Sequence, residues 1–110
     1  MSEDRLEQLR RIAEREPSDD VAQYGFGKAC LDGGLLEEAI AAFTRATQLN
    51  PGYSAAYRDL GRALSEAGRP HDAIRILRSG IRVAQKQGDL QTVREMEVFM
   101  KRAARKLTKS

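Results

Sequence analysis

The chain repeats itself at an interval of 34 residues, and this interval constrains its fold more than any other feature of the sequence. Identical residues recur across that interval as the pairs Ala22/Ala56, Gly27/Gly61, Ala29/Ala63, Gly34/Gly68, Ala39/Ala73 and Ile40/Ile74. Similar residues replace one another at many positions between them, so the repeat follows packing rather than composition. A period of roughly 20–50 residues indicates repeated units that stack and bury their apolar faces against one another.

Apolar residues recur with a period of about 3.6 residues, which predicts helices and no strands. Helices are expected at residues 3–15, 20–33, 36–49, 54–67, 70–86 and 89–107. Clusters of glycine, proline and asparagine separate these stretches, and Pro70 suits the first turn of a helix. Gly27 and Gly61 lie inside predicted helices, where glycine costs about 1 kcal/mol relative to alanine. We therefore expect a neighbouring helix to approach closely at both glycines.

Small and large apolar residues alternate at matching places in the two copies. The first copy contributes Phe26, Gly27, Cys30, Ala39, Phe43, Ala46 and Pro51, and the second contributes Tyr57, Leu60, Gly61, Leu64, Ala73, Leu77 and Gly80. This pattern resembles the tetratricopeptide repeat family. Two segments near the end, 87–90 and 98–102, are similar to the ends of short, stand-alone bacterial proteins of that family. The resemblance implies an all-α, right-handed superhelix of about six antiparallel helices in a single domain.

By this resemblance, residues 1–110 divide into a leading half repeat (3–16), two full repeats (20–53 and 54–87) and a C-terminal capping helix (89–107). Two positions depart from the family pattern. Gln23 stands where the family places a large apolar side chain, so we expect poorer packing around it. Gln85 replaces the proline of the second linker, so the helix that begins near Pro70 should continue toward Gly88.

The composition argues against catalysis and against export. With one histidine, His71, and one cysteine, Cys30, the chain lacks the residues of a metal site or a disulfide framework, and we expect no metal and no cofactor. Residues 25–28 do not form a phosphate loop, because Ala22 occupies the place of the required earlier glycine. The amino end is charged and no long apolar run is present, so we expect a cytoplasmic, non-catalytic protein with no membrane partner.

In this family the first helix of each pair lines the concave surface, and the resemblance transfers that role to matching positions here. The peptide-binding groove it implies consists of Tyr24, Lys28, Leu31, Arg58, Arg62, Arg94 and Lys101, with Val21, Ala55, Ser65 and Val98 beside them. Arginine side chains pair well with carboxylates, and Tyr24 and Leu31 offer apolar contact. We therefore expect the groove to bind an acidic peptide or helix of a partner protein. The alternative is that these charges only solvate the surface.

The last predicted helix carries two further hypotheses. Its basic residues Arg102, Arg105 and Lys109 could bind nucleic acid or another anionic surface, although no aromatic residue lies on that face to stack on a base. The acidic first helix and the basic last helix could instead meet head to tail between two copies of the chain. A clamp of lysines and asparagines, which grips terminal carboxylates in related proteins, is not reproduced, because Tyr24 and Asp59 occupy two of its positions.

Overall fold

A computed structural model describes residues 2–108, with side chains from Arg5 to Thr108, and shows six helices. They are α1 (Ser2–Arg15), α2 (Asp20–Asp32), α3 (Leu36–Leu49), α4 (Ser54–Glu66), α5 (Pro70–Lys86) and α6 (Leu90–Thr108). Residues 2–108 contain no strand, so the expected all-α fold is confirmed. Each helix begins and ends within one residue of the position expected from the sequence. None of these helices combines the length and the apolar composition needed to span a membrane.

Three of the turns between helices share one backbone solution. Each contains a glycine with a positive φ angle, namely Gly34 (77°), Gly68 (78°) and Gly88 (71°). The residue after each glycine bonds back to a carbonyl five positions earlier, as Leu35 N does to Cys30 O at 2.8 Å. The third such turn joins α5 to α6. Gln85, which replaces the linker proline expected from the resemblance, lies in the last turn of α5, and α5 continues to Lys86 as expected.

The hairpins α2/α3 and α4/α5 stack on each other, with α1 packed against α2 at one end. At the other end, α6 packs against both α4 and α5. The largest fully buried side chains include Phe43 from α3, Leu77 from α5 and Met96 from α6. Burying a side chain of this size contributes roughly 1.5–3 kcal/mol to stability. Because Met96 is one of them, α6 belongs to the folded core.

Glycines set how closely the helices approach one another. Added β-carbons would collide with neighbouring side chains at Gly27 (2.7 Å from Phe43), Gly61 (2.3 Å from Leu77) and Gly80 (2.5 Å from Tyr57). Carbon atoms in favourable contact lie about 3.5–4.0 Å apart, so no larger residue fits at these places without a shift. The close approach expected at Gly27 and Gly61 is therefore confirmed. Gly80 in the same way allows α4 and α6 to pack closely against α5.

The poorer packing expected around Gln23 is not found. The Gln23 side chain is 6% exposed, and its Nε2 donates a hydrogen bond to the carbonyl oxygen of Ala13 at 3.0 Å. Ala13 lies in the last turn of α1, where carbonyl groups lack partners inside the helix. Gln23 therefore exchanges apolar contact for a hydrogen bond that ties the end of α1 to α2.

The substitution Gly61→Ala is expected to lower the free energy of unfolding by about 1–2 kcal/mol, because crowding of Leu77 outweighs the gain in helix propensity. Gly25→Ala is the matched control, since a β-carbon there meets only Cδ2 of Leu9, at 4.0 Å. It should raise stability by up to about 1 kcal/mol. Urea unfolding followed by circular dichroism measures both, and equal effects would contradict the close approach of α4 and α5 at Gly61.

Candidate functional site

The site residues expected from the sequence lie on α2, α4 and α6, which are adjacent in that order. These helices begin at residues 20, 54 and 90, so equivalent positions are shifted by 34 residues from α2 to α4 and by 36 from α4 to α6. Three sets of equivalent residues follow: Tyr24/Arg58/Arg94, Lys28/Arg62/Val98 and Leu31/Ser65/Lys101. The structure gives these three sets different surroundings.

Tyr24 and Arg58 face the next helix of the stack. The Tyr24 hydroxyl donates to Oδ2 of Asp59 at 2.5 Å, and Nη1 of Arg58 donates to Oε1 of Glu95 at 2.9 Å. Asp59 and Glu95 are themselves equivalent under the shift of 36 residues, so the same contact joins α2 to α4 and α4 to α6. Arg94 is exposed, since α6 is the last helix of the described residues.

Arg58 and Asp59 form the centre of a polar network between the three helices. Asp59 is only 3% exposed, and it accepts a hydrogen bond from Nε of Arg58 at 3.1 Å in addition to the one from Tyr24. Burial, and then the hydrogen bond to Asp59, raise the pKa of Tyr24 well above its usual value. The carboxylates of Asp59 and Glu95 offset the positive charge of Arg58, so Arg58 is not a free cation.

Leu31 and Ser65 also face the next helix. Leu31 is 4% exposed and packs in the core, so it does not offer the apolar foothold expected from the sequence. Ser65 is 6% exposed, and its carbonyl oxygen accepts a hydrogen bond from Nζ of Lys106. Lys101 is exposed and lines a groove between α5 and α6, beside Arg78 and Met100. Lys101 therefore lies on a different surface from Arg62.

Lys28 and Arg62 remain accessible on the surface formed by α2, α4 and α6. Both are partly exposed, and Nε of Arg62 pairs with Glu66 at 2.8 Å in an ion pair open to solvent. Val98, the equivalent residue on α6, is 47% exposed. Val21 is 64% exposed and lies two helical turns before Lys28, on the same side of α2. We call the surface that carries Lys28, Arg62 and Val98 the groove face.

Arg62 also shares a cleft with Arg102, which the sequence assigned to a different surface. The cleft has a volume of about 100 Å³ and lies between α4 and α6; its lining residues are Arg62, Ser65, Glu66, Phe99, Arg102 and Lys106. The Arg102 guanidinium lies 5.5 Å from the centre of the Phe99 ring. Arg105 lines a separate surface with Lys101, and Lys109 lies outside the described residues. The basic residues of α6 are therefore divided between two surfaces.

Sequence profiles described as tetratricopeptide repeat match residues 34–96 and residues 6–54. The chain is also 31% identical, over 103 residues, to the TPR repeat-containing protein PA0015 of Pseudomonas aeruginosa. That alignment covers 94% of this chain and 98% of its relative. The chain belongs to the tetratricopeptide repeat family.

Two solved structures have similar folds. Protein BPP2914 from Bordetella parapertussis is 29% identical, with a TM-score of 0.77, and the match covers 91% of this chain and 87% of that one. The TPR2B domain of yeast Sti1, solved in a complex with pHsp70, has a TM-score of 0.85 at 18% identity, over 91% of this chain and 80% of that one. The family and the fold support a protein–protein interaction module in general terms.

Asp59, Glu95 and Lys106 take part in these contacts, yet they are not among the site residues expected from the sequence. In the sequence, Asp59 stands out only because it occupies one position of the lysine and asparagine clamp, which this chain does not reproduce. Its equivalence to Glu95 becomes visible once the shift of 36 residues is known. Lys106 reaches Ser65 across 41 positions of the chain, and no local pattern signals that contact. Among the described residues, no group of three or more His, Cys, Asp or Glu side chains is placed to hold a metal ion.

Removing the Arg58 side chain should destabilise the fold, because it leaves the buried Asp59 carboxylate without its cation. Arg58→Met is expected to lower the free energy of unfolding by about 3 kcal/mol, whereas the control Arg62→Met, at a solvent-exposed ion pair, should cost less than about 1 kcal/mol. The double variant Tyr24→Phe/Arg58→Met should deviate from additivity by more than about 0.5 kcal/mol. Additive effects in urea unfolding would show that the three side chains do not act together.

The Cys30 thiol should be unreactive in the folded protein. Cys30 is fully buried, and burial, followed by the negative charge of Glu38, raises its pKa from 9.0 to about 11. Labelling with dithionitrobenzoate at pH 8 should be slow for the native chain and fast in denaturant. Because the unfolded thiol ionises first, stability should also fall as pH rises from about 9 to 11. Cys30→Ala should reduce that fall, and rapid native labelling would contradict the burial.

Proposed function

We propose that the groove face binds an acidic segment of a partner protein, as a peptide or a helix. The observation that carries the proposal is the placement of accessible cations on neighbouring helices, with Lys28 on α2 and Arg62 and Arg102 at the α4/α6 cleft. Exposed Val21 and Val98 flank these cations and can contact apolar side chains of the same segment. Basic and apolar groups together favour an acidic segment with apolar anchors.

The ionic contacts of the groove face differ in how readily they can be exchanged. Arg58 is held by a carboxylate that is almost fully buried, so a ligand would have to break a desolvated pair to reach it. The pair between Arg62 and Glu66 is exposed, and such pairs contribute little to stability. An incoming carboxylate can therefore replace Glu66 at Arg62 at small cost. Lys28 and Arg62, rather than Arg58, are the residues of this face that would meet a ligand.

Neither alternative from the sequence fits the structure as well. Nucleic-acid binding needs a continuous basic surface, but Arg102 and Arg105 line different surfaces of α6. Head-to-tail stacking needs a helix to pack closely on α6. Glu97 on α6 occupies the position equivalent to Gly27 and Gly61, where the other hairpins require a glycine. A helix added there would meet the Glu97 side chain.

A selection from displayed random dodecapeptides tests this proposal, because enrichment depends only on affinity for the folded chain. Peptides enriched on the folded chain should carry net negative charge together with leucine, valine or phenylalanine. Their affinities, measured by fluorescence anisotropy, should be micromolar, which corresponds to about 8 kcal/mol. Binding should weaken moderately as salt rises, because an open groove is screened.

Charge reversal identifies the surface that is used. Lys28→Glu should weaken the selected peptides at least about tenfold by repulsion. Arg82→Glu is the matched control, because it makes the same charge change at an exposed position of α5. Selected peptides without net negative charge, or equal losses for the two variants, would contradict binding at the groove face.

A further inference from the structure

We propose that the cleft between α4 and α6 is the anchor site for one acidic side chain of the bound segment, with Arg62 and Arg102 holding its carboxylate. This inference rests on the proposed function, because it assigns one position within the same ligand. It brings together two residues that the sequence pattern places on separate surfaces. Arg62 belongs to the groove face, whereas Arg102 belongs by sequence to the basic stripe of the last helix.

The electrostatics of the cleft favour an anion. Three cations line it, Arg62, Arg102 and Lys106, and Glu66 is the one carboxylate among the lining residues. The net charge of the cleft is therefore positive before a ligand enters. The two guanidinium groups that line the cleft come from adjacent helices, and each can donate to a carboxylate through its planar fork of N–H groups.

Each cation of the cleft is already held in place by a contact that leaves donors free. The Arg102 guanidinium lies over the Phe99 ring, Nε of Arg62 is bound to Glu66, and Nζ of Lys106 is bound to the Ser65 carbonyl. A guanidinium has five N–H groups and an ammonium has three, so these contacts do not exhaust them. Because the side chains are ordered in advance, less conformational entropy is lost when a ligand binds.

The size and the surroundings of the cleft select the kind of side chain. A volume of about 100 Å³ can admit an aspartate or glutamate side chain. Val98 lies one helical turn before Arg102 and is exposed, so it can contact an apolar residue next to the acidic one. The expected motif is an acidic residue beside an apolar residue.

Defined peptides and one pair of matched variants test the anchor. The probe is a labelled peptide of three copies of Glu-Leu-Glu-Ala, compared with a version in which glutamine replaces every glutamate. Arg102→Glu should weaken the glutamate peptide by about tenfold to a hundredfold, which is the effect of losing a charge-assisted hydrogen bond. Arg105→Glu makes the same charge change three residues away on a different surface and should have at most a twofold effect.

Further measurements distinguish a failure of the anchor from a failure of the proposed function. Thermal melts establish that each variant is folded, and Arg102→Gln, which adds no negative charge, should still weaken binding. Dependence on Lys28 without dependence on Arg102 would overturn the anchor and leave the proposed function standing. Failure of the wild-type chain to bind the glutamate peptide would count against both. Equal losses from Arg102→Glu and Arg105→Glu would overturn the carboxylate anchor alone.

Discussion

Close packing of helices at glycine is the constraint on which the rest of this structure depends. Because Gly27 and Gly61 have no side chains, Phe43 and Leu77 lie against the facing helix and are completely buried. Helix pairs at this spacing stack in a regular order, which places α2, α4 and α6 next to one another. The polar contacts between those three helices, including Tyr24 to Asp59, form in that arrangement. Apolar packing therefore fixes the positions at which charged groups meet.

The two arginines of α4, Arg58 and Arg62, have different roles because their surroundings differ. Arg58 faces a buried carboxylate, and separating that pair would leave Asp59 desolvated and unpaired. Its strong interaction is therefore internal, and the contacts that cross to neighbouring helices are those of Arg58 with Glu95 and of Tyr24 with Asp59. Arg62, one turn later, faces solvent and pairs only with an exposed glutamate. The residue with the stronger ion pairs is thus the less suited to bind a ligand.

The sequence predicted the helices well, since helix ends depend on local signals such as glycine, proline and capping residues. It also predicted the close approach at Gly61, because a glycine inside a helix lowers stability unless a neighbouring helix needs the space, and this one recurs at the repeat interval. The accessibility of the site residues could not be predicted in the same way. Whether Leu31 lies in the core or on the surface depends on how the next helix crosses it, and Arg58 forms an ion pair with Glu95, 37 residues away, in addition to the one with Asp59. Such contacts are set by tertiary packing.

A reversal of charge along the first helices explains where the groove face becomes most basic. On α2 and α4 the accessible cation is followed one turn later by an acid, as Lys28 is by Asp32 and Arg62 by Glu66. On α6 the equivalent of Glu66 is Arg102, which is preceded by the apolar Val98. Positive charge that is offset on each earlier helix is therefore not offset at the α4/α6 boundary. An acidic segment lying across the three helices would be attracted most strongly there, beside the exposed valine that its apolar residues can contact.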